Sequence, residues 1–296
     1  MLSEKKLFLF DIDGTVALGD ALLPGATAFF QEIQERGGQF VFITNNSTKS
    51  IADYIKKFRQ MGVSTDPRNF VTASTASASW LRQHAVGKTI YVLGTRSLIL
   101  ELEGHGIHVT TDPDDPDISF VLAAYDSELT YQKLSDPCRI LQARPVTFLA
   151  TNPDLVCPVP FGYVPDCGSI CQMITNATGQ VPHYIGKPST DMVDIALREN
   201  PFSKKETLVV GDRLYTDIAC GNAAGVETAL VLTGEAKRMD TQIHTFPPTY
   251  IFDSVKELHQ AWNQAKFPIS GFRSSHLPDC ASYPSLHPDT SPDSLR

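Results

Sequence analysis

The sequence has no long apolar run and no organised set of cysteines. None of its hydrophobic stretches approaches the roughly 20 residues that a membrane span needs. Near the N-terminus, the apolar residues 7–10 are followed at once by Asp11, so this region lacks the length and the cleavage site of a secretory signal. The six cysteines form no CxxC pair and are too sparse for a disulfide scaffold. We therefore predict a cytoplasmic protein with no membrane segment.

Positive charge is also in short supply. The 25 Lys and Arg residues are outnumbered by 33 Asp and Glu residues, which gives a formal net charge of −8. The sequence has no cluster of basic residues interleaved with aromatic ones, so a nucleic-acid partner is disfavoured. A small anionic substrate is not excluded, because local charges decide its binding. The 42% hydrophobic content is typical of a globular protein with a substantial core.

The chain alternates short apolar runs with amphipathic stretches, which predicts an α/β fold with a parallel sheet. The predicted strands are 7–10, 40–44, 89–93, 118–123, 146–150, 207–210, 228–232 and 250–252. The predicted helices are 26–36, 51–61, 96–103, 131–142, 191–198, 218–224 and 255–265. The length of 296 residues suits one large domain or two smaller ones. Two strand–helix–strand units within residues 88–185 suggest a separate small α/β module.

The most informative segment is residues 7–15, in which an apolar strand runs into two acids. Asp11 and Asp13 are two residues apart, so both carboxylates point to the same side as the chain leaves the strand. If the strand is central in a parallel sheet, its carboxyl end opens into the crevice where such folds bind ligands. Two acids there repel each other, and a bound cation such as Mg²⁺ relieves the repulsion. A surface turn without function is the alternative for this segment alone.

Two further segments carry polar groups at predicted strand ends. The second strand ends in Thr44, Asn45 and Asn46, whose hydroxyl and amide groups suit phosphate oxygens. Taken alone, these residues are better explained as a helix N-cap. Lys187 lies between Gly186 and Pro188 and is the only basic residue of its stretch. An isolated lysine is more often solvated surface, so its interpretation depends on the other motifs.

A third acidic segment completes the pattern. Asp212 follows an apolar strand, and Asp217 comes five residues later. Because the carboxyl ends of parallel strands meet at one edge of a sheet, Asp212 can meet Asp11 and Asp13 there. Acids, one lysine and a set of Thr and Asn donors at the ends of separate strands are typical of a magnesium-assisted phosphoryl-transfer site. Taken together, these placements favour a functional site over the purely structural interpretation of each segment alone.

These four motifs resemble, in the same order, those of the haloacid dehalogenase (HAD) superfamily of phosphohydrolases. They are residues 11–15, 44–47, 186–188 and 211–217. The long interval between the second and third motifs leaves room for a full cap domain. That interval, with segments 23–26, 151–154 and 168–170, resembles the NagD-type, nitrophenylphosphatase-like branch.

The resemblance implies a particular domain organisation. We expect a Rossmann-like, doubly wound parallel sheet core formed by residues 1–79 and 184–265. An inserted α/β cap domain would span residues 80–183. Residues 266–296 are predicted to form a disordered tail, since five prolines and seven serines lie between Phe267 and Arg296.

The resemblance also implies roles for the acidic residues. Asp11 would be the nucleophile that forms an aspartyl-phosphate, and Asp13 the general acid and base. The cofactor would be Mg²⁺, held by Asp11, Asp13 through its backbone carbonyl, and Asp212. Asp217 would lie behind the residues that bind the metal directly, or it would orient Lys187. The chemistry agrees, because a carboxylate can attack phosphorus in line and divide the reaction into two steps.

The remaining motif residues would bind the phosphoryl group. The resemblance implies that Thr44, Asn45, Asn46 and Lys187 contact the substrate phosphate, with the lysine offsetting negative charge on it and on Asp11. The implied function is a Mg²⁺-dependent phosphatase that hydrolyses phosphomonoesters of small metabolites. A phosphotransferase and a non-catalytic binding protein on the same fold are the alternatives.

The predicted cap contains a conspicuously apolar loop, residues 154–163. In enzymes with such caps, specificity lies in the cap rather than in the catalytic motifs. The apolar loop fits either a substrate contact or packing against the cap of a second copy in a homodimer. The sequence leaves both interpretations open.

Overall fold

The computed structural model describes residues 1–159 and 161–264, which form two parallel sheets flanked by helices. The strands are β1 (Leu7–Phe10), β2 (Ala17–Leu18), β3 (Ala21–Leu22), β4 (Gln39–Thr44), β5 (Phe70–Thr72), β6 (Thr89–Leu93), β7 (His108–Thr110), β8 (Ile118–Ala123), β9 (Thr147–Ala150), β10 (Val156–Val159), β11 (Gly162–Pro165), β12 (His183–Tyr184), β13 (Thr207–Gly211), β14 (Glu227–Val231) and β15 (Tyr250–Phe252). The predicted tail, 266–296, lies outside the described residues.

Nine α-helices occur in the described ranges. They are α1 (Ala26–Glu35), α2 (Ile51–Gln60), α3 (Ala73–His84), α4 (Arg96–Gly104), α5 (Tyr131–Ala143), α6 (Cys167–Thr178), α7 (Asp191–Glu199), α8 (Ala219–Ala223) and α9 (Val255–Gln264). A π-helical turn, Leu214–Ile218, leads directly into α8. Within the described part of the chain, no helix is both long enough and apolar enough to cross a bilayer.

The larger sheet has six parallel strands in the order β15-β14-β13-β1-β4-β5. From the central strand β1, the chain moves outward to β4 and β5, and it later returns to β13 on the other side of β1. The order therefore reverses between β1 and β13. In open α/β sheets, the crevice for ligands lies at the carboxyl ends of the strands at such a switch point. The topology thus places the residues after β1 and β13 in one crevice.

Strand β1 is fixed in register by packing on both of its faces. All four of its side chains are completely buried, as expected for a parallel strand covered by helices on both sides. Phe8 packs edge-on against Phe29 at 5.1 Å, and Phe10 against Phe30 at 5.5 Å. The leucines of β1 belong to the aliphatic cluster on the opposite face. A slip of one residue would exchange these two faces, so the position of Asp11 after the strand is strongly specified.

A second parallel sheet, of five strands in the order β12-β9-β8-β6-β7, is inserted in the chain between β5 and β13. The antiparallel hairpin β10–β11 lies in the same part of the chain, between β9 and β12. One aliphatic cluster joins the two sheets, because it contains Val41 of the larger sheet, Leu122 of the smaller one and Leu81 of α3. The two sheets therefore share a common apolar core in addition to their separate ones.

The predicted strands and helices are all present, with each strand end within one residue of its predicted position. The sequence patterns missed several elements, chiefly β5 with α3, the hairpin β10–β11, and α6. Helix α3 lacks an apolar stripe because serines such as Ser74 and Ser77 occupy buried positions in it. Small residues allow close helix packing without the periodicity by which helices are recognised. Since α3 is continuous across residues 79 and 80, the chain passes toward the second sheet along one helix.

Glu101 on α4 makes the stability of this fold depend on pH. Burial raises the pKa of Glu101 from 4.5 to about 7, although a hydrogen bond with Ser74 opposes the shift. The folded protein therefore holds the proton more tightly than the unfolded chain does. The resulting stabilisation is complete below pH 4.5 and is lost as the pH rises through about 7.

We expect Glu101→Gln to be more stable than the wild type above pH 7, by on the order of 1 kcal/mol after allowing for solvent screening. Near pH 4.5 the two proteins should differ little, because the wild-type carboxyl is then protonated. Urea unfolding at several pH values measures the difference. Glu103→Gln, an exposed change on the same helix, is the matched control. A wild-type-to-variant difference that does not change with pH would contradict the prediction.

Candidate active site

A small cavity of about 50 Å³ lies at the carboxyl ends of the central strands of the larger sheet. It is lined by Asp11, Asp13, Thr44, Asn45, Asn46, Asp154, Cys157, Asp166, Lys187, Arg213 and Thr216. A larger cavity of about 630 Å³ also includes Asp13 and Asn46 in its lining, together with Asp212. Asp217 is 1% exposed and reaches the site through its bond to Lys187. The structure therefore brings together all eight residues that the sequence singled out.

Lys187 is the centre of the charged network. Its Nζ donates to Oδ1 of Asp11 and to Oδ1 of Asp217, both at 2.6 Å, and to the carbonyl oxygen of Ile43 at 2.9 Å. The side chain is 2% exposed. Burial alone would lower the pKa of Lys187, but the charges of Asp11 and Asp217 raise it well above its usual range. The lysine is therefore a fixed cation, with two carboxylates bound to it.

Three carboxylates crowd around this single cation. Asp11, Asp212 and Asp217 each offer an oxygen, and these atoms lie within 4.8 Å of one another. Burial, with the charges of Asp11 and Asp217, raises the pKa of Asp212 to about 7. Burial and the charge of Asp11 raise the pKa of Asp217 to about 6, although Lys187 opposes this. Negative charge is thus in excess, and an all-oxygen set of this kind fits a hard divalent cation.

The carboxylate of Asp212 is held by loops that approach it very closely. Thr15 Oγ1 donates to its Oδ1 at 3.2 Å, and the N–H of Glu235 donates to its Oδ2 at 2.8 Å. A Cβ added to Gly14, where φ is +91°, would lie 2.7 Å from Oδ2 of Asp212. At Gly234 the corresponding distance is 1.9 Å. Only glycine fits at these two positions, so the carboxylate is fixed by backbone as well as by hydrogen bonds.

The side chains of the two asparagines after β4 make different hydrogen bonds. The Nδ2 of Asn45 donates to Asp154 Oδ2 at 2.7 Å and to the carbonyl oxygen of Lys187 at 3.0 Å, which uses both of its hydrogens. The Asn45 side chain therefore has no hydrogen left for a phosphate oxygen in this arrangement, and phosphate binding by Asn45 stays a prediction. Asn46 accepts from Thr48 through Oδ1, and its Nδ2 has no hydrogen-bond partner among the described residues. Asn46 rather than Asn45 therefore retains a side-chain donor at the cavity wall.

Asp13 lies where the small cavity meets the large one. It contributes to the lining of both, and its side chain is 39% exposed. Lys57 Nζ is 3.9 Å from its Oδ1. The carboxylate is not part of the three-acid group around Lys187. An acid at this boundary can reach both a group in the small cavity and its substituent in the large one.

Two charged residues that line the small cavity, Arg213 and Asp166, were given no role from the sequence, whereas a third, Asp154, begins the loop 154–163 that was a candidate for substrate contact. Asp154 follows β9, Arg213 comes directly after Asp212, and Asp166 is the N-cap of α6. Burial raises the pKa of Asp166 to about 6, although its bonds from the Cys167 N–H and the Asn152 amide oppose the shift. For Arg213 the available signal was its place directly after a predicted buried acid, because such acids attract cations.

The apolar loop 154–163 is divided between the site and the surface. It forms most of the hairpin β10–β11. Cys157 lines the small cavity, and Val159 and Tyr163 line the large one. Leu155 and Phe161 are 55% and 83% exposed. The hairpin therefore contributes to the wall of the cavities and also exposes apolar surface.

Comparison with known protein families agrees with this geometry. The family described as haloacid dehalogenase-like hydrolase matches residues 8–108, and a second description, HAD-hydrolase-like, matches residues 184–258. The two matches contain the acidic motifs and the lysine found in the site. The chain belongs to the haloacid dehalogenase-like hydrolases.

Relatives place the chain among the phosphatases of that family. An acid sugar phosphatase of Staphylococcus aureus is 32% identical over 257 residues, which cover 86% of this chain and 97% of that protein. The structure of a 4-nitrophenylphosphatase from Thermotoga maritima has a TM-score of 0.82 and 38% identity, covering 88% of this chain and 98% of that one. NagD from Escherichia coli is 33% identical, with a TM-score of 0.76 over 86% of this chain and 98% of that one. The chain is thus a phosphoric monoester hydrolase of the NagD and nitrophenylphosphatase branch.

We expect Gly234→Ala to lower kcat/KM for an aryl phosphate by about tenfold or more, because the added methyl group must displace the Asp212 carboxylate. Circular dichroism should show an intact fold, since Gly234 has no left-handed backbone conformation. Gly104→Ala is the matched control, because a Cβ there meets nothing within 4 Å. Wild-type activity in Gly234→Ala would show that the position of Asp212 is not critical.

Proposed function

We propose that this phosphatase uses Mg²⁺ and hydrolyses its substrate through an aspartyl-phosphate on Asp11. The observation that carries the proposal is the placement of Asp11. Its carboxylate lines the small cavity, is bonded to Lys187 and lies in the three-acid group with Asp212. A nucleophile, a fixed cation and a cation-binding set of acids therefore meet at one point.

The first chemical step forms a bond between an oxygen of Asp11 and phosphorus and breaks the ester bond to the leaving oxygen. Lys187 holds Oδ1 of Asp11 and offsets negative charge on the phosphoryl group. Asp13, at the boundary of the two cavities, gives its proton to the leaving oxygen. The products of this step are the free alcohol and the aspartyl-phosphate.

The second step uses water. Asp13, now a carboxylate, takes a proton from the water that attacks phosphorus, and the bond to Asp11 breaks to release inorganic phosphate. When bound, Mg²⁺ would be held by the side chains of Asp11 and Asp212 and the backbone carbonyl of Asp13, and it would neutralise charge on the phosphoryl oxygens. A relative, glycerol phosphate phosphatase from Mycobacterium tuberculosis, is described in complex with magnesium; it has a TM-score of 0.80 and 27% identity, covering 88% of this chain and 78% of that one.

The phosphoryl group would be bound in the small cavity by Thr44, the Nδ2 of Asn46, the backbone N–H of Asn45 and Lys187. The larger cavity, at about 630 Å³, has the size of a small-molecule site and would receive the leaving group. Residues 80–183 would act as a cap that closes over the leaving group. These dimensions support a small phosphorylated metabolite as the substrate.

We also propose a cytoplasmic location. Free thiols such as those of Cys138 and Cys220 support a reducing environment.

The reaction class is tested with a generic aryl phosphate. We expect release of phosphate with Mg²⁺ and at least a hundredfold slower release with excess EDTA, because the acids then repel the substrate and one another. Asp11→Asn keeps the shape of the side chain and removes the nucleophile, so it should abolish turnover while circular dichroism remains that of the wild type. Glu103→Gln, a substitution at an exposed position, is the control for effects of preparing a variant protein.

Four results would contradict the proposal. Normal turnover in Asp11→Asn would remove this residue as nucleophile, and equal rates with and without EDTA would remove the metal. A product that appears only with an added alcohol acceptor, with little inorganic phosphate, would identify a phosphotransferase. No turnover across a panel of sugar, nucleotide and glycolate phosphates, with retained binding, would identify a non-catalytic binding protein.

We also propose that the protein forms a homodimer through the hairpin β10–β11. Support comes from the exposed side chains of Phe161 and Tyr163 on this hairpin and of Leu155 directly before it, since clustered apolar surface of this kind marks contact sites. Light scattering should give the mass of a dimer for the wild type and of a monomer for Phe161→Asp. Val86→Asp, an equally exposed apolar residue elsewhere, is the matched control and should not change the mass. A monomeric wild type would end the proposal.

A further inference from the structure

One buried carboxylate, that of Asp154, accepts hydrogen bonds from two distant parts of the chain and from a residue of its own loop. Its Oδ2 accepts from the Nδ2 atoms of Asn45 at 2.7 Å and Asn152 at 2.9 Å, and its Oδ1 accepts from Arg213 Nη1 at 3.2 Å. The residue is 2% exposed. Asn45 and Arg213 follow β4 and β13 of the larger sheet, whereas Asn152 and Asp154 follow β9 of the smaller one. The carboxylate therefore joins the two sheets at the small cavity.

The bond to Asn45 determines which way its amide faces. A carboxylate accepts hydrogen bonds only, so the amide nitrogen of Asn45 must point toward Asp154. The amide oxygen is then left to accept from the backbone N–H of Lys187, at 2.9 Å. The same amide nitrogen also donates to the carbonyl oxygen of Lys187. Asn45 thereby clamps the backbone of the residue whose Nζ holds Asp11.

The bond to Arg213 makes a second connection to the site. Arg213 follows Asp212 directly, and its backbone N–H donates to Oδ2 of Asp217 at 3.1 Å. Its guanidinium meets Asp154 on one side, and on the other its Nε lies 3.0 Å from Glu235 Oε2 without hydrogen-bond geometry. Loss of the Asp154 carboxylate would leave Arg213 with Glu235, which is 45% exposed, as its remaining ion-pair partner among the described residues, and would weaken the hold on this loop.

The loop that carries Asp154 is itself rigid. The N–H of Gly168, in the first turn of α6, donates to the carbonyl oxygen of Asp154 at 2.8 Å. A Cβ at Gly168 would lie 2.2 Å from the carbonyl oxygen of Pro153, so helix and loop are in close contact. The position of Asp154 is therefore set by the smaller sheet and its helix, and only its carboxylate reaches across to the larger sheet.

We propose that Asp154 is a positioning residue for the phosphatase reaction. It acts through Asn45 on Lys187 and through Arg213 on the loop of Asp212 and Asp217, so that the nucleophile is correctly placed only when the smaller sheet is docked on the larger. The proposal rests on the functions proposed above for Asp11 and Lys187. Asp11 acts on the transition state, and Lys187 holds Asp11 as well as the phosphoryl group, so misplacement lowers kcat more than it raises KM.

The kinetic test uses Asp154→Asn, which preserves the shape of the side chain, with Mg²⁺ and an aryl phosphate. We expect kcat to fall by about 10- to 100-fold, the effect of a displacement of about 1 Å, while KM changes less than about threefold. Asp126→Asn is the matched control. Asp126 is also buried. It follows β8 of the smaller sheet, its Oδ2 is 2.8 Å from Nζ of Lys133 on α5, and it lies outside the cavity lining. The Asp126→Asn variant should keep the wild-type kcat even if its melting temperature falls by as much as that of Asp154→Asn.

A double-mutant cycle tests the route through Asn45. If Asp154 acts through this amide, Asp154→Asn combined with Asn45→Ala should be no slower than Asn45→Ala alone, apart from the smaller part that passes through Arg213. Losses in kcat that multiply would overturn this route. A kcat within twofold of the wild type in Asp154→Asn, or an equal loss in Asp126→Asn, would overturn the whole inference. An inactive wild type would instead contradict the proposed function, so the two failures are distinguishable.

Discussion

The site depends on one constraint, which is that three carboxylates, two of them buried, lie together around one buried ammonium group. Asp11, Asp212 and Asp217 are within reach of one another, and Lys187 supplies the one cation bonded to two of them. Such an arrangement is unfavourable by itself, because burial and mutual repulsion oppose ionisation. It persists because the surrounding structure holds each acid in place. The parallel strands fix the chain on both sides of β1, and close glycine contacts fix the loops beyond them.

Much of this site is visible in the sequence. Apolar runs that end in Asp11, Thr44 and Asp212 identify strands, and the geometry of parallel sheets brings their carboxyl ends to one edge. The fold class follows from the same alternation of runs and amphipathic stretches. The prediction works because it needs only local patterns and one rule of topology. The order of the strands in the sheet is not needed for this prediction, as long as the strands are parallel and buried.

The parts that could not be predicted depend on partners far along the chain. Asn45 looked like a phosphate ligand, but its amide is bonded to a carboxylate 109 residues away. Gly234 and Glu235 contact Asp212 from a loop with no motif of its own. Helix α3 was not predicted because its buried face consists mostly of alanine and serine. In each case the local residues are compatible with several structures, and only the tertiary contact selects one.

The interface between the two sheets combines two kinds of interaction with different consequences. Aliphatic side chains around α3 form one cluster with both sheets, and such contacts stabilise association while tolerating small displacements. Near the cavity the interface is polar, with Asp154 bonded to Asn45 and Arg213. Hydrogen bonds between buried groups permit little displacement, because an unsatisfied partner is costly. The apolar cluster therefore holds the sheets together, and the polar contacts near Asp11 define how they are aligned, which is what in-line attack on phosphorus requires.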